Sequence, residues 1–327
     1  MGLNFVRNNT KYFNNYGSIK KDVEEVNNFL NPLRETGYFI GKQDIKLYYE
    51  KYVLKDEKGK IVISHGFTEF IEKYEELIYY FLKSGYSVFI MEHRGYGRSG
   101  NLGQVDKTQV SVEKFDYYIE DLKKFLDEIV KDTTGNMYLY AHSMGGAIAC
   151  IFLERYKGYF KRAILSAPMF KINTGKVPYK LAEILSKIQI KLGKGENYIF
   201  GQTSFNDKFD LESAATSNEY RYRNYHDKLI ANRKLGRGGA SFVWLNEAIK
   251  ATKYLIDEKN VSNIDIPILL FQAGRDTFVD TSAHNRFNKI YKDCNLVRFE
   301  NGKHELYLEN DEILHNYLDK IFYFLEK

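Results

Sequence analysis

The sequence predicts an α/β fold, a mostly parallel central sheet flanked by helices, with a helical cap inserted late in the chain. Short, continuously apolar runs at 61–63, 86–91 and 266–271 have the length of strands buried on both faces. Segments with helical spacing separate them, as a parallel sheet covered by crossover helices requires. The stretch 171–260 breaks this alternation: it has no clear buried strand, several helical patterns, and a Gly-rich turn from Gly236 to Gly239.

Taken in order, residues 46–54 alternate like a half-exposed strand, as an antiparallel edge would. Residues 60–64 read as a buried strand, 74–82 as the end of a helix, and 86–91 as the next strand. Phe115, Tyr118, Ile119, Leu122, Phe125, Leu126 and Ile129 then keep the i, i+3, i+4, i+7 spacing of an amphipathic helix. Residues 137–140 form a strand that runs into a helix over 146–156, opened by Gly145, Gly146 and Ala147. Strands at 162–166, 266–272 and 296–300 complete the series, and the last helix covers 311–325. The expected core is therefore 1–170 and 261–327, with 1–35 as a polar, Asn-rich extension and 171–260 as the cap. The 237 residues outside the cap suit one α/β domain.

Composition excludes several classes. With 44% hydrophobic and 28% charged residues, 327 residues can bury a core, so a disordered chain is excluded. The apolar runs fall far short of the ~20 residues that a spanning helix needs. A net charge of +5 without clustered basic stretches argues against a nucleic-acid partner. No apolar core of a signal peptide is readable in 1–35, and after Gly2 a myristoylation signal would want Ser or Thr where Val6 stands. Cys150 and Cys294 alone make no disulfide framework or metal site, and suit a reducing cytoplasm.

The chemistry centres on Ala141-His142-Ser143-Met144-Gly145. A serine at a sharp strand-to-helix turn is strained so that its hydroxyl stands free, and small residues two before and two after let the backbones approach. Here Gly145 supplies one and Ala141 the other. A helix N-cap serine is the bland alternative. Four features answer it. His65-Gly66-Phe67 ends the strand at 60–64, so the Phe67 and Met144 amides can form an oxyanion hole, with Gly66 allowing the turn. Asp276 follows the strand at 266–272, at the sheet edge where open α/β sheets bind ligands. Asp280 suits a cap of the helix beginning near Ser282. Among the histidines after the acid, His284 and His315 lie in helical patterns, whereas His304 follows a strand through Asn301-Gly302-Lys303. Finally, the order Ser143, Asp276, His304 is that of one hydrolase class and not of the other triad proteases.

At these residues the chain resembles the monoacylglycerol lipase and bacterial lysophospholipase branch of the α/β-hydrolases. The resemblance lies in His65-Gly66-Phe67, the run from Glu92 to Gly100, Ala141 to Gly146, and Leu165-Ser166-Ala167-Pro168-Met169. In the cap, Leu235-Gly236-Arg237-Gly238-Gly239 and Trp244-Leu245 are similar to lysophospholipases. The resemblance implies a serine esterase that cleaves the single acyl ester of a lipid with a polar head, lysophospholipids ahead of monoacylglycerols, with no cofactor. A short-chain or aryl esterase, an aminopeptidase of the same fold, and a non-catalytic binding module remain open alternatives.

Two further signals need weighing. Gly95-Tyr96-Gly97-Arg98-Ser99-Gly100 satisfies a dinucleotide-binding spacing, but 101–108 is polar and irregular, so a pyrophosphate would lack its helix N-terminus. It reads instead as a tight loop supporting the site. In the cap, Leu181, Ile184, Leu185, Ile188 and Leu192 share one helical face among lysines. That face either packs inward or, with Leu181, Leu185, Phe242 and Trp244, covers an acyl channel while the lysines meet an anionic membrane surface. The charge by itself favours neither reading. Residues 171–260 hold 16 Lys+Arg and 10 Asp+Glu, a surplus of six, which leaves the rest one negative.

Overall fold

The structure is a computed structural model and describes residues 12–14, 20–131 and 135–327. Among the described residues eight strands form one sheet in the order β1-β2-β4-β3-β5-β6-β7-β8. They are β1 (Arg34–Ile40), β2 (Lys46–Tyr52), β3 (Gly59–Ser64), β4 (Tyr86–Met91), β5 (Met137–His142), β6 (Arg162–Ser166), β7 (Ile268–Ala273) and β8 (Cys294–Phe299). The β1–β2 and β2–β4 pairs are antiparallel, and all the others are parallel.

The apolar runs become strands buried on both faces. All six residues of β3 are buried. Val62 packs with α3 (Asp116–Phe125) and α4 (Met144–Arg155), while Ile61 and Ile63 pack with α2 (Glu75–Lys83) and α10 (Asp311–Glu326). Period-two alternation thus divides one strand between two cores. The chain leaves β3 for β4 on one side and returns as β5 on the other. The sheet therefore switches direction between β3 and β5, and a crevice opens beyond their carboxyl ends.

Two expectations need correction. Residues 46–54 are antiparallel but not an edge, because β1 pairs with β2 from Ile40 opposite Lys46 to Arg34 opposite Tyr52. The polar start of Arg-Glu-Thr-Gly-Tyr-Phe-Ile hides this strand from an alternation test. Nor is 1–35 only a polar extension. Helix α1 (Lys20–Leu30) buries Val26 and Leu30 in the core that holds α2 and α10. The expectations placed on Gly2 and Val6 lie outside the described residues.

Between β6 and β7 the chain forms α5 (Tyr179–Lys191), α6 (Glu219–Ala231), α7 (Phe242–Leu255) and α8 (Glu258–Val261). The helix α9 (Ser282–Ile290) then connects β7 to β8. Among the described residues no helix is long and apolar enough to cross a membrane.

Candidate active site

The sheet's switch point brings the sequence-predicted groups together. β5 ends at His142, and α4 begins at Met144, so Ser143 makes the whole strand-to-helix turn. Its backbone adopts φ 52° and ψ −118°, a conformation that L residues hold only under strain. Met169 donates its amide to the Ser143 carbonyl, and the Ser143 amide donates to the Ser166 carbonyl, which fixes the turn against β6. The glycines are required by contact. A Cβ on Gly145 would lie 2.1 Å from the Ser64 carbonyl oxygen, and one on Gly146 2.5 Å from Pro168 Cβ.

Ser143 Oγ lies 2.8 Å from His304 Nε2, and His304 Nδ1 lies 2.7 Å from Asp276 Oδ2. The other Asp276 oxygen accepts the amides of Phe278 and Val279 at 2.8 and 3.0 Å. Burial pushes the Asp276 carboxyl up, but His304 and these two amides outweigh it and hold it below the usual carboxylate range. The alternatives lie elsewhere. Asp280 accepts Lys171 Nζ at 2.6 Å and the Ser282 amide at 3.0 Å, as a helix-start acid should. His284 is fully buried on the Pro168 carbonyl, and desolvation lowers it to about 4. His315 contacts the Phe13 carbonyl.

For the oxyanion hole, Met144 is the first residue of α4, whose leading amides have no intrahelical acceptor. Phe67 sits in the loop after β3, beside Thr68 at φ 57°. His65 ties this loop to the segment just after β4: Nε2 accepts the His93 amide at 2.9 Å, so Nδ1 carries the proton that goes to the Gly66 carbonyl. Desolvation keeps His65 neutral, at about 4.

A buried network behind these groups escaped the sequence reading. Glu69 binds the Gly66 amide, the Tyr74 and Tyr307 hydroxyls, and His142. Lys73 Nζ pairs with Glu305 at 2.5 Å and lies over the Tyr225 ring. The one signal available was the set of charged residues Glu69, Glu72 and Lys73 in the short connection from β3 to α2. The loop from Gly95 to Gly100 packs beside the site, with Tyr96 edge-on to His65 and Phe67. Glu92 accepts the Arg98 amide beneath it, and Arg237 from the inserted segment donates to the carbonyls of Gly95, Gly97 and Gly100.

Ser143 and His304 open on a cavity of about 520 Å³, whose walls include Phe67, Met169, Ile172, Trp244 and Val279, with Lys73, Glu305 and Tyr225 also lining it. Trp244 lies in this lining, its ring tilted against Phe67 at 4.7 Å. Phe242, Leu181 and Leu185 are not in the lining. Phe242 is buried against Phe200. Leu181 is 45% exposed, because α5 turns Ala182 and Ser186 inward and its apolar row outward.

An eight-stranded sheet with a strained serine at its switch point, hydrogen-bonded to a histidine and through it to an aspartate, is the architecture of an α/β-hydrolase, and the chain is a hydrolase of that fold. More narrowly, it belongs to the family described as serine aminopeptidase, S33, which it matches over residues 55–311. It is 28% identical to a Haemophilus influenzae protein named "Probable lysophospholipase L2", over 89% of this chain and 91% of that one. It is 30% identical to lysophospholipase L2 of Escherichia coli K12, over 79% and 75%. A soluble variant of monoglyceride lipase from Saccharomyces cerevisiae superposes with a TM-score of 0.72 at 20% identity, over 90% of this chain and 94% of that one.

Proposed function

We propose that this chain is a serine carboxylic ester hydrolase that cleaves the acyl ester of monoacyl lipids, lysophospholipids ahead of monoacylglycerols. Ser143 attacks the ester carbonyl as His304 Nε2 takes its proton, and Asp276 stabilises the imidazolium. The Met144 and Phe67 amides hold the oxyanion. Collapse expels the head-group alcohol, which leaves with the proton from His304. Water then attacks the acyl-enzyme by the same route and releases the fatty acid.

The observation that carries this reading is the cavity. Apolar walls near Ser143 suit one acyl chain, and the Lys73–Glu305–Tyr225 cluster suits a polar head. The names of the two lysophospholipase relatives support it. A mass-spectrometric screen over monoacyl lipids, with Ser143→Ala protein as control, tests it. Long-chain lysophospholipids should be consumed. Rapid turnover of aryl acetates or aminoacyl peptides with long-chain monoacyl lipids untouched would favour the short-chain esterase or aminopeptidase reading instead.

The segment 171–260 serves in this proposal as a cap that contacts the lipid surface. On α5, Leu181, Ile184 and Ile188 are 45, 52 and 46% exposed, and Leu192 just beyond is 63% exposed. Lysines 180, 187, 191 and 194 accompany them. An apolar row among cations fits the interface of an anionic bilayer. Activity on mixed anionic vesicles should therefore fall as ionic strength rises. Ile184→Ser with Ile188→Ser should lower vesicle binding and leave turnover of a monomeric soluble ester unchanged. Salt-insensitive turnover would return those lysines to ordinary solubility.

A further inference from the structure

Glu69 and His142 lie at the buried wall of the cavity and take no part in the acyl transfer described above. Glu69 belongs to the loop that carries Phe67, and His142 directly precedes Ser143. They are 2% and 1% exposed. The Glu69 carboxylate joins three segments. It accepts the Gly66 amide of its own loop, the Tyr74 hydroxyl at 2.5 Å, and the Tyr307 hydroxyl, three residues past His304, at 2.9 Å. Its Oε1 also lies 3.1 Å from His142 Nδ1. The other nitrogen of that ring, Nε2, lies 3.3 Å from the carbonyl oxygen of His304.

His142 Nε2 thus has an acceptor in the His304 carbonyl, and Nδ1, which makes no aligned hydrogen bond, stands at ion-pair distance from the Glu69 carboxylate. Only the imidazolium carries a proton on each nitrogen, so the arrangement fits a charged His142. Burial alone would drive His142 neutral, but the Glu69 carboxylate outweighs it and raises its pKa. Burial likewise pushes Glu69 up, and His142, Lys73 and Tyr74 bring it well below the usual range.

We propose that the Glu69–His142 ion pair positions the base: the His142 imidazolium grips the His304 backbone and keeps that ring between Ser143 and Asp276. This rests on reading Ser143 as nucleophile and His304 as base. A grip is needed because His304 sits in a loop just beyond Gly302, and a displacement of about 1 Å at such a group costs about 10²-fold in rate.

The pair has a pH signature. As pH rises through the raised pKa of His142, one ring proton leaves, the ion pair with Glu69 is lost, and the hold on the His304 carbonyl weakens. The groups facing His142 are Glu69, Lys73, Glu305, His65, His304 and the Tyr307 ring. Lys73 and Tyr307 are themselves shifted upward, so neither loses its proton early.

The test combines fluorophosphonate labelling of Ser143 with steady-state hydrolysis across pH, for the wild type, His142→Ala and His142→Gln, each checked for folding by thermal melting. Glutamine can still donate to the His304 carbonyl and does not titrate. We expect His142→Ala to lose about 10- to 100-fold in kcat with KM within about threefold, and His142→Gln to stay within about fivefold of wild type. The wild type should lose kcat on the alkaline side, and His142→Gln should not. A labelled wild type with His142→Ala within twofold of it at every pH overturns the inference alone. So does a His142→Gln that is no better than alanine or keeps the alkaline fall. A wild type that fails to label overturns the nucleophile reading, and the inference with it.

Discussion

Ser143→Ala is expected to lower kcat by about 10⁴-fold or more while the protein stays folded and still binds substrate. The loss is large because Ser143, His304 and Asp276 act as one unit through contacts of 2.8 and 2.7 Å. Without Oγ, the remaining groups can bind an ester but have nothing to acylate. Kinetics on a lysophospholipid with a mass-spectrometric readout checks this, and a folded, active alanine variant would overturn the mechanism. The backbone adds a second expectation. At φ 52° and ψ −118° alanine is strained as serine is, and glycine is not. Ser143→Gly should be equally inactive but more stable than Ser143→Ala by about 1 kcal/mol, read by chemical denaturation.

The sequence made Ser143 legible because its signal is local: a buried strand, a small residue, the nucleophile, and glycines that a Cβ could not replace. Asp276 and His304 were legible for a related reason, since each follows a strand of the same sheet at the end where the loops converge. Glu69 and His142 were not. They meet only because β3 and β5 pair with Ser64 beside Ala141, and no local pattern marks a carboxylate that three segments will share. Strand β1 was missed because half of it is polar, and α1 because only Val26 and Leu30 of its residues are buried. On α5 the spacing correctly gave one apolar face. Periodicity says which residues share a face and nothing of what covers it, so it cannot tell that Leu181 and Leu185 stay outside the cavity lining.

Arg221→Ala should cost about 3–5 kcal/mol of stability. Arg221 lies on α6 of the inserted segment, 1% exposed, and its guanidinium forks onto Glu76 of α2 with two contacts of 2.8 Å. A third nitrogen donates to the Glu309 carbonyl at 2.8 Å and lies 2.8 Å from Asp311 Oδ1. Alanine would leave two neighbouring carboxylates without this cation, one of them buried, together with a carbonyl lacking this donor. An uncompensated buried charge costs more than the pair gained by forming, which is why the expected loss is large. The Lys228–Glu75 pair on the same helix is the contrast. Its lysine side chain is 22% exposed and the buried Glu75 keeps Arg34 at 2.7 Å, so Lys228→Ala should cost no more than about 1 kcal/mol. Urea denaturation of Arg221→Ala, Glu76→Gln and the double variant separates the contributions. Because the two side chains share the same two-pronged contact, the double variant should lose clearly less than the sum of the single losses. Strict additivity would mean that the fork does not hold α6 to the core, and that the inserted segment is anchored through Arg237 and the loop from Gly95 to Gly100 instead.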